Sequence, residues 1–144
     1  MRLLVLAVAA VTGSSALTVG LSDHRPGAPR VGLRLTFESE LQCGIPIGPP
    51  LVVTLPAAER VPRAVARTAV IVNRQPAAGV TVTGHVLAVK VTRPEVLCDV
   101  IGRGTVTIAF TRAAGLGNPS RMGAYRVSVR RGTQTVTGTI VIHT

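Results

Sequence analysis

The sequence is poor in aromatic residues and in acidic ones. Its 144 residues include no Trp, one Tyr and two Phe, and six Asp and Glu stand against 16 Lys and Arg. Proteins that bind single-stranded nucleic acid combine a basic groove with aromatic stacking platforms. Here a formal net charge of +10 comes without such platforms, and the basic residues are spread along the chain. We therefore expect no nucleic-acid partner, and no sugar binding by aromatic stacking.

The N-terminus lacks an apolar run long enough to span a bilayer. Arg2 is followed by only nine apolar residues, Leu3 to Val11, whereas a transmembrane helix needs about 20. A positive residue, a short apolar run and small residues ending at Ser14 and Ala16 are typical of a secretory signal peptide. We expect a signal helix over 1–16, removed on export, and one secreted domain over 17–144 without a transmembrane anchor. Retention of the leader as an anchor is the alternative.

Cysteine is almost absent. The two cysteines are Cys43 and Cys98, and in an exported chain such a pair forms a disulfide. The closed loop of about 56 residues would remove roughly 4 kcal/mol of unfolded-state entropy. Two free thiols are the alternative. Metal binding by the pair is not expected, because the three histidines lie at no ligand-like spacing to either cysteine.

Helix signals are also scarce, and nearly every apolar stretch alternates with period two. Val, Ile, Leu and Thr in this pattern are typical of half-buried strands, and turn signals every eight to twelve residues indicate a sandwich or barrel. One helical turn is expected within 57–68, with Pro62 at its first position. The predicted strands lie at 17–21, 31–38, 51–56, 69–73, 79–83, 85–91, 105–110, 124–129 and 133–142.

The last two strands form a predicted hairpin with clear faces. Tyr125, Val127 and Val129 are expected to face the core, while Arg126 and Arg130 face water. The Gly-x-Tyr that opens the first of these strands is similar to the tyrosine corner of immunoglobulin-like sandwiches, where the hydroxyl bonds back to a nearby carbonyl.

Several features in chain order resemble one family of modules. They are a strand ending in Pro56, the strand end Val72 with Asn73, a Gly-x-x-Asn-Pro turn over 115–119, and Gly-x-Tyr. The sequence is similar to immunoglobulin-like modules of bacterial secreted and cell-surface proteins. The resemblance implies an antiparallel immunoglobulin-like β-sandwich and a spacer or adhesion role. This chain departs from that pattern in being a single copy, which removes avidity through repetition, and in its two cysteines.

No catalytic, cofactor or metal constellation emerges. Ser22, Asp23 and His24 are adjacent and point apart, so they form a polar turn and not a catalytic relay. Glu38 and Glu40 share one face of an extended segment, but no third acidic ligand lies nearby, and we interpret them as a solvated strand end. The remaining candidates are interpreted as surface and turn residues: His85, Glu95, Asp99, Gly102, Gly104, Gly115, Gly117 and His143.

The sequence therefore predicts a non-enzymatic extracellular module of a secreted bacterial protein, acting by binding or as a structural element. The alternative is attachment to an anionic cell-wall polymer or membrane surface through Arg126, Arg130 and Arg131 on the final hairpin. Another surface protein is the other candidate partner. A small hydrolase built from His24 and distant carboxylates is a third, disfavoured hypothesis. No cofactor is expected.

Overall fold

The computed structural model describes residues 16–39, 50–91 and 104–144, and these form ten β-strands. The strands are β1 Thr18–Leu21, β2 Leu33–Ser39, β3 Leu51–Thr54, β4 Val70–Val72, β5 Gln75–Pro76, β6 Gly79–Thr83, β7 Val86–Lys90, β8 Gly104–Phe110, β9 Gly123–Arg131 and β10 Gln134–Ile142.

The strands build two five-stranded sheets that enclose one core. Sheet A has the order β1-β2-β8-β4-β5, and sheet B has the order β10-β9-β3-β7-β6. All the strand pairs described are antiparallel, and one apolar cluster draws on both sheets. The prediction of an all-β antiparallel sandwich is confirmed.

The alternation of the sequence decides which residues fill the core. In β8, Val106, Ile108 and Phe110 are buried, while Thr107 and Ala109 between them are only half-buried. This is the period of a strand with one face on a core, and the same pattern recurs in β2 and β9.

The structure differs from the sequence-based expectation at three connections. The helical turn is a 3-10 turn at Arg67–Ala69 and does not begin at Pro62. The two-residue strand β5 was not predicted, because so short an edge strand has no periodicity to detect. In the last hairpin the turn is shorter than expected, since Arg131 still pairs with Gln134.

The end of the sandwich that carries the β9–β10 turn is here called the hairpin end. In sheet A, the end of β2 meets the start of β8 there, with Ser39 opposite Gly104. In sheet B, the start of β3 meets the end of β7 there, with Leu51 opposite Val89. Arg131 Nη1 joins the sheets at this end by donating to Ser39 Oγ at 2.7 Å.

Both cysteine-bearing segments therefore begin and end at the hairpin end, since they connect β2 to β3 and β7 to β8. Cys43 and Cys98 themselves, and the leader before Ala16, lie outside the described residues. The disulfide and the signal peptide stay predictions.

The opposite end, here called the loop end, gathers three long connections over 22–32, 55–69 and 111–122. Asn118 is fully buried there, and its Nδ2 donates to the carbonyls of Asp23 at 2.8 Å and Arg25 at 2.9 Å. The Tyr125 hydroxyl donates to the Arg121 carbonyl at 2.8 Å, as the tyrosine-corner motif predicts. These bonds hold the loops in one arrangement.

Candidate functional site

The outer face of sheet B is built mainly of small residues in register across five strands. One row consists of Thr135, Arg130, Val52, Ala88 and Thr81. The next row consists of Thr137, Ser128, Thr54, Val86 and Thr83. Because these side chains are short, the longer cations beside them project from the sheet.

Three cations stand on this surface, which we call the basic face: Lys90, Arg126 and Arg130. Arg126 and Arg130 are four residues apart on β9, which places their Cα atoms about 13 Å apart. Lys90 lies on β7, two strands from β9 and about 10 Å across the sheet. All three are exposed, and none of their side chains forms a hydrogen bond or ion pair with a described residue. Their charges are free to meet an external anion.

The basic face has no acidic neighbour on its own sheet. The described residues include three acidic side chains in all, which are Asp23, Glu38 and Glu59. Asp23 pairs with Arg25, Glu38 lies on sheet A, and Glu59 is buried. Positive charge on the described surface of sheet B is therefore uncompensated, and it attracts polyanions.

Arg131, the third arginine predicted on this hairpin, lies on the other side of the sheet. The alternation that exposes Arg126 and Arg130 turns residue 131 inward with Val127 and Val129, and Arg131 is only 3% exposed. Burial lowers the pKa of its guanidinium. Its role in the structure is the bond to Ser39 that joins the two sheets.

The residues considered as catalytic candidates contact other groups and not one another in a catalytic arrangement. The ring of His24 stacks on that of His143, with centroids 4.9 Å apart, and His24 Nδ1 lies 2.7 Å from the Val141 carbonyl oxygen. Asp23 is turned toward Arg25, and Glu38 accepts a hydrogen bond from Thr105 Oγ1 at 2.7 Å. Glu40, Glu95, Asp99 and Gly102 lie outside the described residues.

The described ranges contain no group of three or more His, Cys, Asp and Glu side chains placed to hold a metal ion. Nor does any helix in them have the length and apolar character that a bilayer crossing requires.

Comparison with known proteins identifies the fold. No protein-family model matches the chain, and no curated protein matches it in sequence. Its structure is similar to that of BslA, described as a bacterial hydrophobin, with a TM-score of 0.59 and 13% identity over 90% of this chain and 98% of that one. A domain of the Streptococcus gordonii adhesin Sgo0707 aligns at a TM-score of 0.47 and 12% identity, over 92% of this chain and 33% of that one. The first likeness establishes a sandwich fold that a bacterial protein also uses.

Proposed function

We propose that the protein is a non-enzymatic extracellular module that attaches to an anionic polymer through the basic face. The observation that carries this proposal is the placement of Lys90, Arg126 and Arg130 on one face of sheet B without a carboxylate partner among the described residues. Short threonine and alanine side chains around them let an extended chain approach all three cations. The role of BslA as a hydrophobin agrees with a surface function for this fold, although the proposal rests on the charges.

Removing two of these charges is expected to weaken attachment strongly. A basic side chain near an anionic surface contributes about 1 kcal/mol, so the double variant Arg126→Gln/Arg130→Gln should bind roughly 30-fold more weakly. Binding to immobilised dextran sulfate, measured between about 50 and 200 mM NaCl, checks this. The affinity of the natural chain should fall over that range because exposed contacts are screened.

The matched control is Arg34→Gln/Arg74→Gln, which removes the same charge from sheet A and its β4–β5 turn. This variant should keep nearly the natural affinity. Equal losses in both double variants would mean that net charge alone drives binding, and the basic face would lose its role. Preference for phosphatidylglycerol vesicles over the polymer would contradict the choice of polymer as the partner.

The proposal includes export, cleavage after Ala16 and a Cys43–Cys98 disulfide. Support comes from the described strand ends that flank the two cysteine-bearing segments, which all lie at the hairpin end. It also comes from Leu17, which is buried and whose amide donates to the Thr137 carbonyl at 3.1 Å. Anchoring of Leu17 in the domain, directly after the expected cleavage site, agrees with a mature chain that begins there.

We also propose that the sandwich is of the immunoglobulin-like type. The neighbours β1-β2-β8 and β10-β9-β3 correspond to the pairings of strands A, B and E and of strands G, F and C in that fold. The remaining strands follow a different chain order from that fold. Here β4 and β5 of sheet A come before β6 and β7 of sheet B.

The intact mass of the exported protein tests leader and disulfide together. We expect a chain that begins at Leu17 and is about 2 Da lighter than the reduced chain, as one disulfide requires. Reduction should add this difference of about 2 Da back to the chain. It should also lower the unfolding free energy by roughly 4 kcal/mol. A chain that retains residues 1–16, or two thiols that react with maleimide in the folded protein, would contradict the corresponding part.

A further inference from the structure

The loop end contains a second group of cationic side chains, which lie on connections and not on the strands of the basic face. A cleft of about 620 Å³ lies between the 22–32 connection and the 3-10 turn Arg112–Ala114. Its walls include Arg25, Arg30, Arg112 and Asp23. Its volume is within the range of clefts that hold small molecules.

The charges in this cleft do not cancel. Arg25 Nη2 donates to Asp23 Oδ2 at 2.7 Å and Arg25 Nε to Oδ1 at 3.0 Å. The hydrogen bonds from Arg25, with the charge of Arg112 adding to them, lower the pKa of Asp23 to about 2. Asp23 is thus ionised, and its carboxylate forms an ion pair with Arg25. The side chains of Arg30 and Arg112 make no hydrogen bond or ion pair with a described residue, which leaves two positive charges.

The backbone holds Arg30 at the cleft in an unusual conformation. Its φ of 51° lies in the left-handed region, where a residue other than Gly or Asn is uncommon and strained. The next residue is fixed because Val31 N donates to the Leu116 carbonyl at 2.8 Å. Strain of this kind persists where the surrounding structure imposes it, and such positions cluster at binding sites.

A neutral donor lies in the same wall. Ser22 Oγ accepts the amide hydrogen of Gly32 at 2.8 Å, so the hydroxyl proton of Ser22 can be donated outward. Two guanidinium forks and a hydroxyl suit an anion with several acceptor oxygens.

We propose that this cleft binds the phosphate or sulfate ester group of a sugar-sized ligand, with Arg30 and Arg112 as its anion-binding residues. A free ion would fill only part of the volume, so the body of the ester occupies the rest. This site is independent of polymer attachment through the basic face.

Calorimetric titration of the folded, exported chain with glucose 1-phosphate tests the proposal, with inorganic phosphate, inorganic sulfate and glucose as separate titrants. We expect saturable binding of the ester, tighter than that of either free ion, and no binding of glucose. Arg30→Gln and Arg112→Gln should each weaken ester binding about tenfold or more, because each removes a charge-assisted contact. Arg63→Gln, an exposed arginine outside the cleft, should leave it unchanged.

Two further variants separate the possible outcomes. Arg30→Gly removes the charge while relieving the left-handed strain, so it should fold at least as well as the natural chain and bind as weakly as Arg30→Gln. Arg126→Gln/Arg130→Gln should bind the ester normally whether or not the basic face binds polymer. Ester binding that survives the loss of Arg30 and Arg112, no saturable binding, or equal affinity for ester and free ion would each overturn the proposal.

Discussion

Glu59→Gln is expected to be free of a stability loss that we predict for the natural protein between acidic and neutral pH. Glu59 is 2% exposed, and neither carboxylate oxygen has a hydrogen-bond partner among the described residues. Burial raises the pKa of Glu59 from its ordinary value of 4.5 to about 7. The folded chain therefore holds a proton that the unfolded chain has released, and stability falls as pH rises between these values.

The expected magnitude is large for one side chain. A pKa of about 7 in the folded state and 4.5 in the unfolded state corresponds to on the order of 3 kcal/mol. The stability that protonation of Glu59 adds to the natural protein should be fully present below about pH 4.5. It should be lost by about pH 8. In Glu59→Gln this side chain does not titrate, so the variant should be the more stable protein at pH 8.

Urea unfolding at pH 4.5 and pH 8 measures this difference. Glu38→Gln serves as the control, because it removes an exposed carboxylate from β2 and should retain the pH dependence. If Glu59→Gln lost as much stability as the natural protein over this range, another group would be responsible and the assignment would be wrong.

Gly138→Ala is expected to destabilise the sandwich by about 3 kcal/mol, through overpacking. Gly138 lies inside β10, where β1 at the edge of sheet A crosses close to the edge of sheet B. A Cβ at this position would lie 2.6 Å from the Leu17 carbonyl oxygen and 2.8 Å from Val19 Cγ2. Backbone must therefore move, and the Leu17 hydrogen bond to Thr137 should be lost with it.

A melting experiment should show Tm lowered by about 10 °C for a domain of this size, and amide exchange in β1 should accelerate. Gly79→Ala is a matched control, since Gly79 lies in strand β6 with nothing within 4 Å of the added Cβ. That variant should melt close to the natural protein. Equal stability of the two variants would show that β1 adjusts without cost.

Much of the fold was predictable because a strand on a core leaves a pattern of period two. The inward positions of Val127 and Val129 and the outward positions of Arg126 and Arg130 follow from that alternation. The same alternation, continued by one residue, turns Arg131 inward, although Arg131 directly follows the exposed Arg130 in the chain. The short strand β5 left no such signal, because two residues cannot define a period.

The loop end was less predictable, because its contacts join residues far apart in the chain. The motif that includes Asn118 indicated a turn, but not that its side chain would bond to the carbonyls of Asp23 and Arg25. Arg30 and Arg112 lie on separate loops that only the packing of the sandwich brings to one cleft. Glu59 gives no sequence signal, because an acidic residue in a polar segment is normally solvated.

A glycine within a strand indicates a close approach or a bulge, but the sequence does not say which element approaches Gly138. The scarcity of acidic residues determined that much of the protein's positive charge would remain unpaired, since composition limits the number of possible ion pairs. The alternation determined the strands and their buried faces, because it acts between near neighbours in the chain. Only the tertiary structure decided where the unpaired charges gather, because strand order and loop packing depend on contacts between distant segments.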